Sequence, residues 1–441
     1  MNDLYTRPEE LLQHLIRFDT TNPPGNEAAL IARVAELLKA NGIESTLVSK
    51  TPGRANLVAR LKGRGEVPPL LLYGHVDVVT TEGQTWTHPP FAAEIHDGYI
   101  WGRGALDMKG GDAMMIAAFL RAHAEQRDLR GDLILCLASD EEVGGEMGAK
   151  FLVNEHPDLI GDAAYCISEF GAFPMDFGGH RFYPIMLTER YVHTLRATIR
   201  GPGGHGAQRH LGTAMSKLGR ILSRMDGARL PVHITPVVQA MIETMASHLG
   251  EPMGSALRGL LDPVRTDHLL DQLDPRIGRM LDPMLHNTVN PTIVSGGSKI
   301  NVIPSEITLR MDGRVLPGVS PQTFEAEVRA LIDDDTVELV PDMSEPTTAL
   351  GDPDLTHFET LAQVLRDADP GAAPVPYMVS GATDGRILAQ LGIQTYGFLP
   401  MNLPADFNFS ATIHAADERI PVGAVTFGAN AINEAVTRIV G

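Results

Sequence analysis

The sequence predicts an α/β fold: a mainly parallel sheet covered by helices and interrupted by a smaller, inserted α+β domain. Three features carry this reading. Continuous apolar runs begin at Asn56 (NLVARL), Leu70 (LLLYGHVDVV), Leu133 (LILCLASD) and Ala164 (AYCISEF), and a helical segment, MKGGDAMMIAAFLRAHAEQ, lies between the second and third. Strands that are apolar on both sides and alternate with helices belong to a parallel sheet buried on both faces. From about Glu189 the texture changes to a strand (YVHTLRATIR), a glycine loop (GPGGHGAQ) and a helix (LGTAMSKLGRIL). A long stretch rich in Pro, Met and Leu follows to about Thr292, then two strands, a helix (QTFEAEVRALI) and a strand (TVELV). At 441 residues the chain exceeds one ordinary core and suffices for two.

At the N-terminus, residues 9–40 have helical periodicity broken by TTNPPGNE, whose Pro-Pro-Gly demands a loop, with Asn26 expected to cap the helix that follows. The opening glycines of the 108–126 segment are expected to lie outside its helix. After the insertion, the helix LTHFETLAQVLRD and the strand GIQTYGF read as the main domain resuming. The expected division is therefore 1–188 and 344–441 for the main domain and 189–343 for the insertion.

Composition narrows the function. An apolar fraction of 43% with 21% charged residues is that of a globular chain, not a disordered one. A formal charge of −19 without a compensating run of Lys or Arg argues against a nucleic-acid partner. The N-terminal MNDLYTRPEELLQHLIRF carries acids where a signal peptide needs a basic start, and no apolar run approaches the roughly 20 residues that span a bilayer. A cytoplasmic protein without membrane attachment is expected. Cys136 and Cys166 sit in apolar strand segments and read as small buried hydrophobes.

The residues that carry chemistry stand at the ends of these apolar runs. His75 and Asp77 are two apart on a strand, so both side chains leave one face, where a carboxylate can fix the tautomer of a ligating imidazole. A structural His-Asp pair would look the same. Asp107 lies in WGRGALDMKGG, in a glycine-flanked loop before a helix, where it could equally be an N-cap. Asp140, Glu141 and Glu142 close an apolar strand as three consecutive acids, a cluster that repels itself unless cations or protons neutralise it. Glu169 ends another apolar strand, and His414 sits in a late loop, FSATIHAADE. Together two histidines and three carboxylates supply the N/O set that suits a pair of zinc ions bridged by one carboxylate.

GHVDVV, WGRGALDMKGG and SDEEVGG, in this order and spacing, closely resemble the co-catalytic zinc peptidases that include aminoacylase, acetylornithine deacetylase, succinyl-diaminopimelate desuccinylase and glutamate carboxypeptidase. The resemblance covers nearly the whole chain. It implies that His75 and Glu169 hold one metal, that Glu142 and His414 hold the other, and that Asp107 bridges them. It further implies that Asp77 orients His75, that Glu141 is the general base and that the Asp107-Met108 peptide is cis. The implied cofactor is two divalent ions per subunit, zinc with cobalt or manganese as substitutes. The implied reaction is hydrolysis of the amide bond of an N-acyl amino acid or short peptide bearing a free carboxylate, by a deacylase or by a carboxypeptidase or dipeptidase.

For the insertion, the resemblance implies homodimerisation and assigns His205 of GPGGHGA to the oxyanion of the partner's site. It assigns Asn301 of KINVIP and Arg314 of MDGR to substrate, Arg314 as the carboxylate clamp. Gly381 and Thr383 of SGATDGR match a substrate-lining Gly-Gly-Thr-Asp loop, with Ala382 in place of the second glycine. GPGGHG also satisfies the G-x-G-x-x-G pattern of dinucleotide sites, but no βαβ unit follows it. A serine hydrolase would need a G-x-S-x-G elbow, which the chain lacks. A non-catalytic binding protein would be expected to have lost a ligand or the base, and all are present.

Overall fold

The computed structural model describes residues 3–344 and 353–441 and divides into two compact units, one of residues 1–187, 353–377 and 383–441, the other of residues 188–352 and 378–382. The boundary expected at 343/344 borders residues 345–352, which lie outside the described residues. The short stretch 378–382, expected with the main domain, clusters with the second unit.

The first unit is built on a nine-stranded sheet. Eight strands run in the order Ser45–Thr51, Arg54–Leu61, Leu133–Ala138, Leu70–His75, Tyr165–Ser168, Gln394–Gly397, His180–Glu189 and Ala372–Val379, and Met175–Phe177 pairs with His180–Glu189. The four central strands are parallel. Their neighbours Arg54–Leu61 and His180–Glu189 are antiparallel, so the sheet is mixed and its parallel part is confined to the middle. The central strands are the continuous apolar runs of the sequence. Leu70–His75 and Leu133–Ala138 are buried at every residue because helices cover both faces. On one face Leu71, Tyr73, Ile134, Cys136 and Cys166 pack with Leu152, Ile160 and Leu388; both cysteines are free and buried.

The helix Lys109–Ala124 is buried at nearly every residue, Lys109 and Asp112 included, and is packed by the C-terminal helix Val422–Val440. Contrary to the sequence expectation, it starts before its glycines. A Cβ on Gly110 would stand 2.2 Å from the carbonyl oxygen of Ala105, and one on Gly111 2.5 Å from Leu399, so the glycines let the first turn pack close instead of delaying it. The N-terminal periodicity resolves into Pro8–Ile16 and Ala28–Ala40. Glu27, not Asn26, occupies the cap position of the latter, and its carboxylate turns to Arg54. The strand Ala372–Val379 escaped the sequence reading because its prolines interrupt the apolar run. Among the described residues no helix is long and apolar enough to cross a membrane.

The second unit has a four-stranded antiparallel sheet in the order Thr288–Ser295, Glu306–Val315, Tyr191–Arg200 and Glu338–Ser344. Leu195, Ala197, Ile199, Leu309 and Met311 alternate inward beneath the helices Ala214–Gly227 and Pro321–Ile332. The segment before Thr292 contains the helices Pro236–Leu249, Met253–Gly259, Thr266–Leu270 and Pro275–Leu285. The GPGGHG loop does not open a helix, as a dinucleotide site would require: Gly204–His205 forms a short strand paired with Val302–Ile303.

Candidate metal centre

Three adjacent parallel strands deliver most of the site at their carboxyl ends. His75 is the last residue of its strand, Glu169 follows Ser168, and Glu141 and Glu142 form a short turn just past Ala138. Because these strands are neighbours, the candidate ligands converge without a long-range excursion of the chain. Asp107 comes from the loop before the buried helix, and the Asp107-Met108 peptide is cis. His414 comes from a late loop in the left-handed conformation, φ 60°.

Asp107 stands between the two histidines. Its Oδ1 is 3.1 Å from Nε2 of His75 and its Oδ2 is 2.9 Å from Nε2 of His414. Each histidine has a second carboxylate, Glu169 at 3.5 Å from His75 and Glu142 at 3.4 Å from His414. The donor set divides accordingly into His75, Asp107 and Glu169, and Asp107, Glu142 and His414, each with donor atoms within 4.8 Å of one another. In a tetrahedron with metal bonds of about 2.0–2.2 Å, ligand atoms are about 3.3–3.6 Å apart. The observed separations are of that size, and Oε1 of Glu142 is buried with no hydrogen-bond donor, as suits an oxygen that takes a cation. The residues therefore fit a pair of divalent ions.

The electrostatics agree. Burial pushes the Glu169 carboxyl up to about 8 against the pull of His75, and burial likewise raises Glu141 and Glu142. The carboxylates of Asp107 and Glu142 carry His414 up to about 10. Burial works to lower His75, but Glu169, Asp107 and Asp77 outweigh it and hold it well above its ordinary range. The cluster holds more negative charge than two imidazoles neutralise, and cations or protons must supply the balance.

Around the donors is a shell of polar supports. Nδ1 of His75 faces the carbonyl of Asp77 at 3.1 Å and its carboxylate at 3.5 Å, which leaves Nε2 toward the cluster. Asp77 accepts from the backbone N–H groups of Glu141 and Glu142 at 3.1 and 3.2 Å and from Asn22 at 2.8 Å. Asp140 turns away from the cluster and accepts from Asn22, Arg54 and the N–H of Met147. Tyr73 donates to Asp384 at 2.7 Å. Asn22, Arg103, Asp384 and Glu418 were not singled out in the sequence; the Asn22-Pro23-Pro24 loop was the only signal near Asn22. A narrow recess of about 10 Å³ opens beside Asp107 and Glu169, walled by Leu106, Phe173, Leu399 and Phe409.

The remaining sequence candidates lie elsewhere. Thr383 is buried and accepts from the N–H of Gly385. In the second unit, His205 and Asn301 are exposed and close together, the carbonyl of Asn301 accepting from the N–H of Gly206 at 2.8 Å. Nδ1 of His205 accepts from the N–H of Ala207 at 3.2 Å, so Nε2 carries the proton of its neutral ring. Arg314 makes a two-pronged ion pair with Asp312, at 2.8 and 3.1 Å. Gly381 follows Ser380, whose carbonyl accepts two bonds from Arg190.

A mixed sheet that brings two histidines and three carboxylates to the ends of its parallel strands defines a hydrolytic metallopeptidase or amidohydrolase. Residues 71–438 match Peptidase family M20/M25/M40, and the chain belongs to that family. It is similar to a probable carboxypeptidase S-like 2 of Dictyostelium discoideum, 27% identical over 385 residues that cover 83% of this chain and 71% of that protein. It is also similar to aminoacylase-1 of Sus scrofa, 25% identical over 416 residues that cover 93% and 89%. In fold it resembles an M20 family metallo-carboxypeptidase from Sulfolobus solfataricus, with a TM-score of 0.66 at 15% identity over 97% of this chain and 98% of that one. The chain is a metal-dependent amidohydrolase.

Proposed function

We propose that the protein removes the acyl group from an N-acyl amino acid, or the terminal residue from a short peptide, with His75, Asp107, Glu142, Glu169 and His414 holding two zinc ions. The observation that carries this reading is the placement of the two Asp107 oxygens, one toward each histidine, with a further carboxylate beside each. Bound divalent ions supply Lewis acidity, which lowers the pKa of a water and polarises a carbonyl.

The chain's own residues do the rest. Glu141 takes a proton from the attacking water and passes it to the leaving amine nitrogen. Asp77 fixes His75 through its Nδ1 side, so that Nε2 keeps its lone pair for a cation. His205, with its proton on Nε2, donates to the tetrahedral oxyanion in a homodimer formed through the inserted unit. Asn301 and Arg314 contact the substrate, Arg314 exchanging Asp312 for the free carboxylate, while Gly381 and Thr383 line the pocket. A cytoplasmic location accords with the two free, buried cysteines.

The test is a hydrolysis screen of zinc- and cobalt-loaded protein against N-acetyl amino acids and dipeptides, with metal content measured in parallel. Two equivalents of metal and turnover of either class are expected. Metal content near zero at neutral pH, or no hydrolysis of either class by the loaded protein, overturns the reading.

A further inference from the structure

The loop that follows Glu169 is strained at two residues that are not glycine. Phe170 and Ala172 both have φ 61°, in the left-handed region that disfavours any residue with a Cβ and is an outlier for one as bulky as phenylalanine. The surrounding chain imposes this shape. The N–H of Phe398 donates to the carbonyl of Ser168 at 2.8 Å, that of Leu399 to Gly171 at 3.0 Å and that of Met401 to Ala172 at 3.1 Å. From the other side, the N–H of Ala172 donates to the carbonyl of Pro184 at 2.5 Å. A Cβ on Gly171 would stand 1.9 Å from the carbonyl oxygen of Gly397, and one on Gly397 2.4 Å from that of Glu169, so the chain here packs backbone to backbone. Held in this way, the loop cannot relax at Phe170, where glycine would take the same φ without strain.

A bulky side chain at a position that suits glycine calls for a use, and its surroundings supply one. Phe170 is part of the wall of the narrow recess beside Asp107 and Glu169, with Phe173, Leu399, Met401 and Phe409 on its apolar side. The rings of Phe173 and Phe409 stack at 4.0 Å, so that side gives way only if the pair separates. At about 10 Å³ the recess has room for one group the size of a water or a methyl. Glu141 is not among the described residues that wall it. The leaving amine has to reach Glu141 for its proton, so the recess serves the other side of the scissile bond, the group attached to the carbonyl carbon.

We propose that Phe170 is a specificity-determining residue: it stops the recess, so that the group on the carbonyl side of the scissile bond is held to about the size of a methyl. The left-handed backbone at Phe170 is the strain that this stop requires. The inference rests on the two-ion hydrolase reading above and adds to it a limit on what that site accepts.

Two variants separate the ring from the backbone: Phe170→Gly removes the ring and suits the φ, whereas Phe170→Ala removes the ring and keeps the strain. The probes are straight-chain hydroxamic acids from acetyl to octanoyl, whose chelating head takes zinc and whose tail reports the space beside it without any turnover. In zinc-loaded wild type, calorimetry is expected to show binding that weakens as the chain lengthens past acetyl. Both variants are expected to reverse that trend and to bind the hexanoyl probe roughly tenfold more tightly than wild type does, since the added methylenes leave water. The kcat/KM values for the matching N-acyl amino acids should shift in the same direction. Thermal unfolding of the metal-free proteins reads the backbone by itself: Phe170→Gly is expected to melt above Phe170→Ala, the reverse of the usual order. The same dependence on chain length in wild type and both variants, with the acetyl probe bound by all three, overturns this proposal alone. Phe170→Ala melting above Phe170→Gly removes the strain on which it stands and overturns it as well. No binding of any probe by zinc-loaded wild type overturns the two-ion reading, and the proposal with it.

Discussion

Arg103 and Glu418, both fully buried, meet at 2.6 Å, and between them they tie the loop of His414 to the loop of Asp107. Glu418 accepts from the backbone N–H groups of Leu106 and Asp107 at 2.8 and 3.2 Å. Arg103 donates to the carbonyls of His414 and Ala415 at 3.3 and 3.1 Å, and Gln84 reinforces the former at 2.9 Å. Burial nevertheless raises the Glu418 carboxyl despite the arginine, so the ions lose more by leaving water than the pair alone returns. Its value lies in position. Glu418→Gln leaves the Arg103 charge buried without its counter-ion and is expected to cost about 3–5 kcal/mol in urea unfolding. It is also expected to weaken metal retention at the cluster; unchanged stability and metal content would show that the tie is dispensable.

Glu141 shares a turn with Glu142, whose carboxylate stands 3.4 Å from His414, but among the described residues Glu141 itself makes no ion pair with either histidine. Burial, together with the charge of Glu169, raises its carboxyl, as a group that must accept a proton near neutrality requires. Glu141→Gln preserves volume and removes the proposed base. Turnover should fall by about 10²–10⁴, with two metal equivalents and the unfolding midpoint retained. Metal analysis alongside kinetics checks this; full turnover in the variant rules Glu141 out as the base.

Asp77 joins two parts of the site, orienting His75 on one side and accepting the N–H groups of Glu141 and Glu142 on the other. Asp77→Asn keeps the shape but replaces one acceptor oxygen with a donor, which then faces an N–H group. Metal affinity is expected to drop by about 10–100-fold, the usual consequence of losing the carboxylate behind a ligating histidine. Competition with a chromophoric chelator measures it. An unchanged affinity would mean that the carbonyl of Asp77, 3.1 Å from Nδ1, orients the ring unaided.

The ligand cluster was legible in the sequence because its members end apolar strands, and a charged residue closing such a run has few structural reasons to be there. His75, Glu142 and Glu169 are of this kind. Asp107 and His414 were legible only through motif context, since a loop residue has no periodicity to betray it. What stayed hidden were supports whose partners are remote in sequence: Glu418 holds the N–H of Asp107 from 311 residues away, and Asn22 reaches Asp77 across 55. The antiparallel flanks of the sheet were hidden for another reason. Pairing direction depends on where the chain returns, and an apolar strand such as Arg54–Leu61 looks the same either way.

Stability away from the site has its own pH signature. Asp132 accepts from Arg60 at 2.9 Å, from Lys62 at 2.8 Å and from the N–H of Gly63 at 2.8 Å. Burial acts to raise its carboxyl, but these three donors prevail and hold it at about 2. A carboxyl whose folded pKa lies below its unfolded value of about 3.9 contributes stability that is complete above the unfolded value and is lost as pH falls through the folded one. Because solvent screens the lysine side of this group, about 1 kcal/mol is a reasonable size for the contribution. Asp132→Asn should therefore lower unfolding free energy by about that amount at pH 7 and by progressively less from about pH 4 toward pH 2, where wild type is protonated as well. Urea titrations at several pH values give the comparison. A deficit that stays constant down to pH 2 would assign the effect to packing and not to the charge of Asp132.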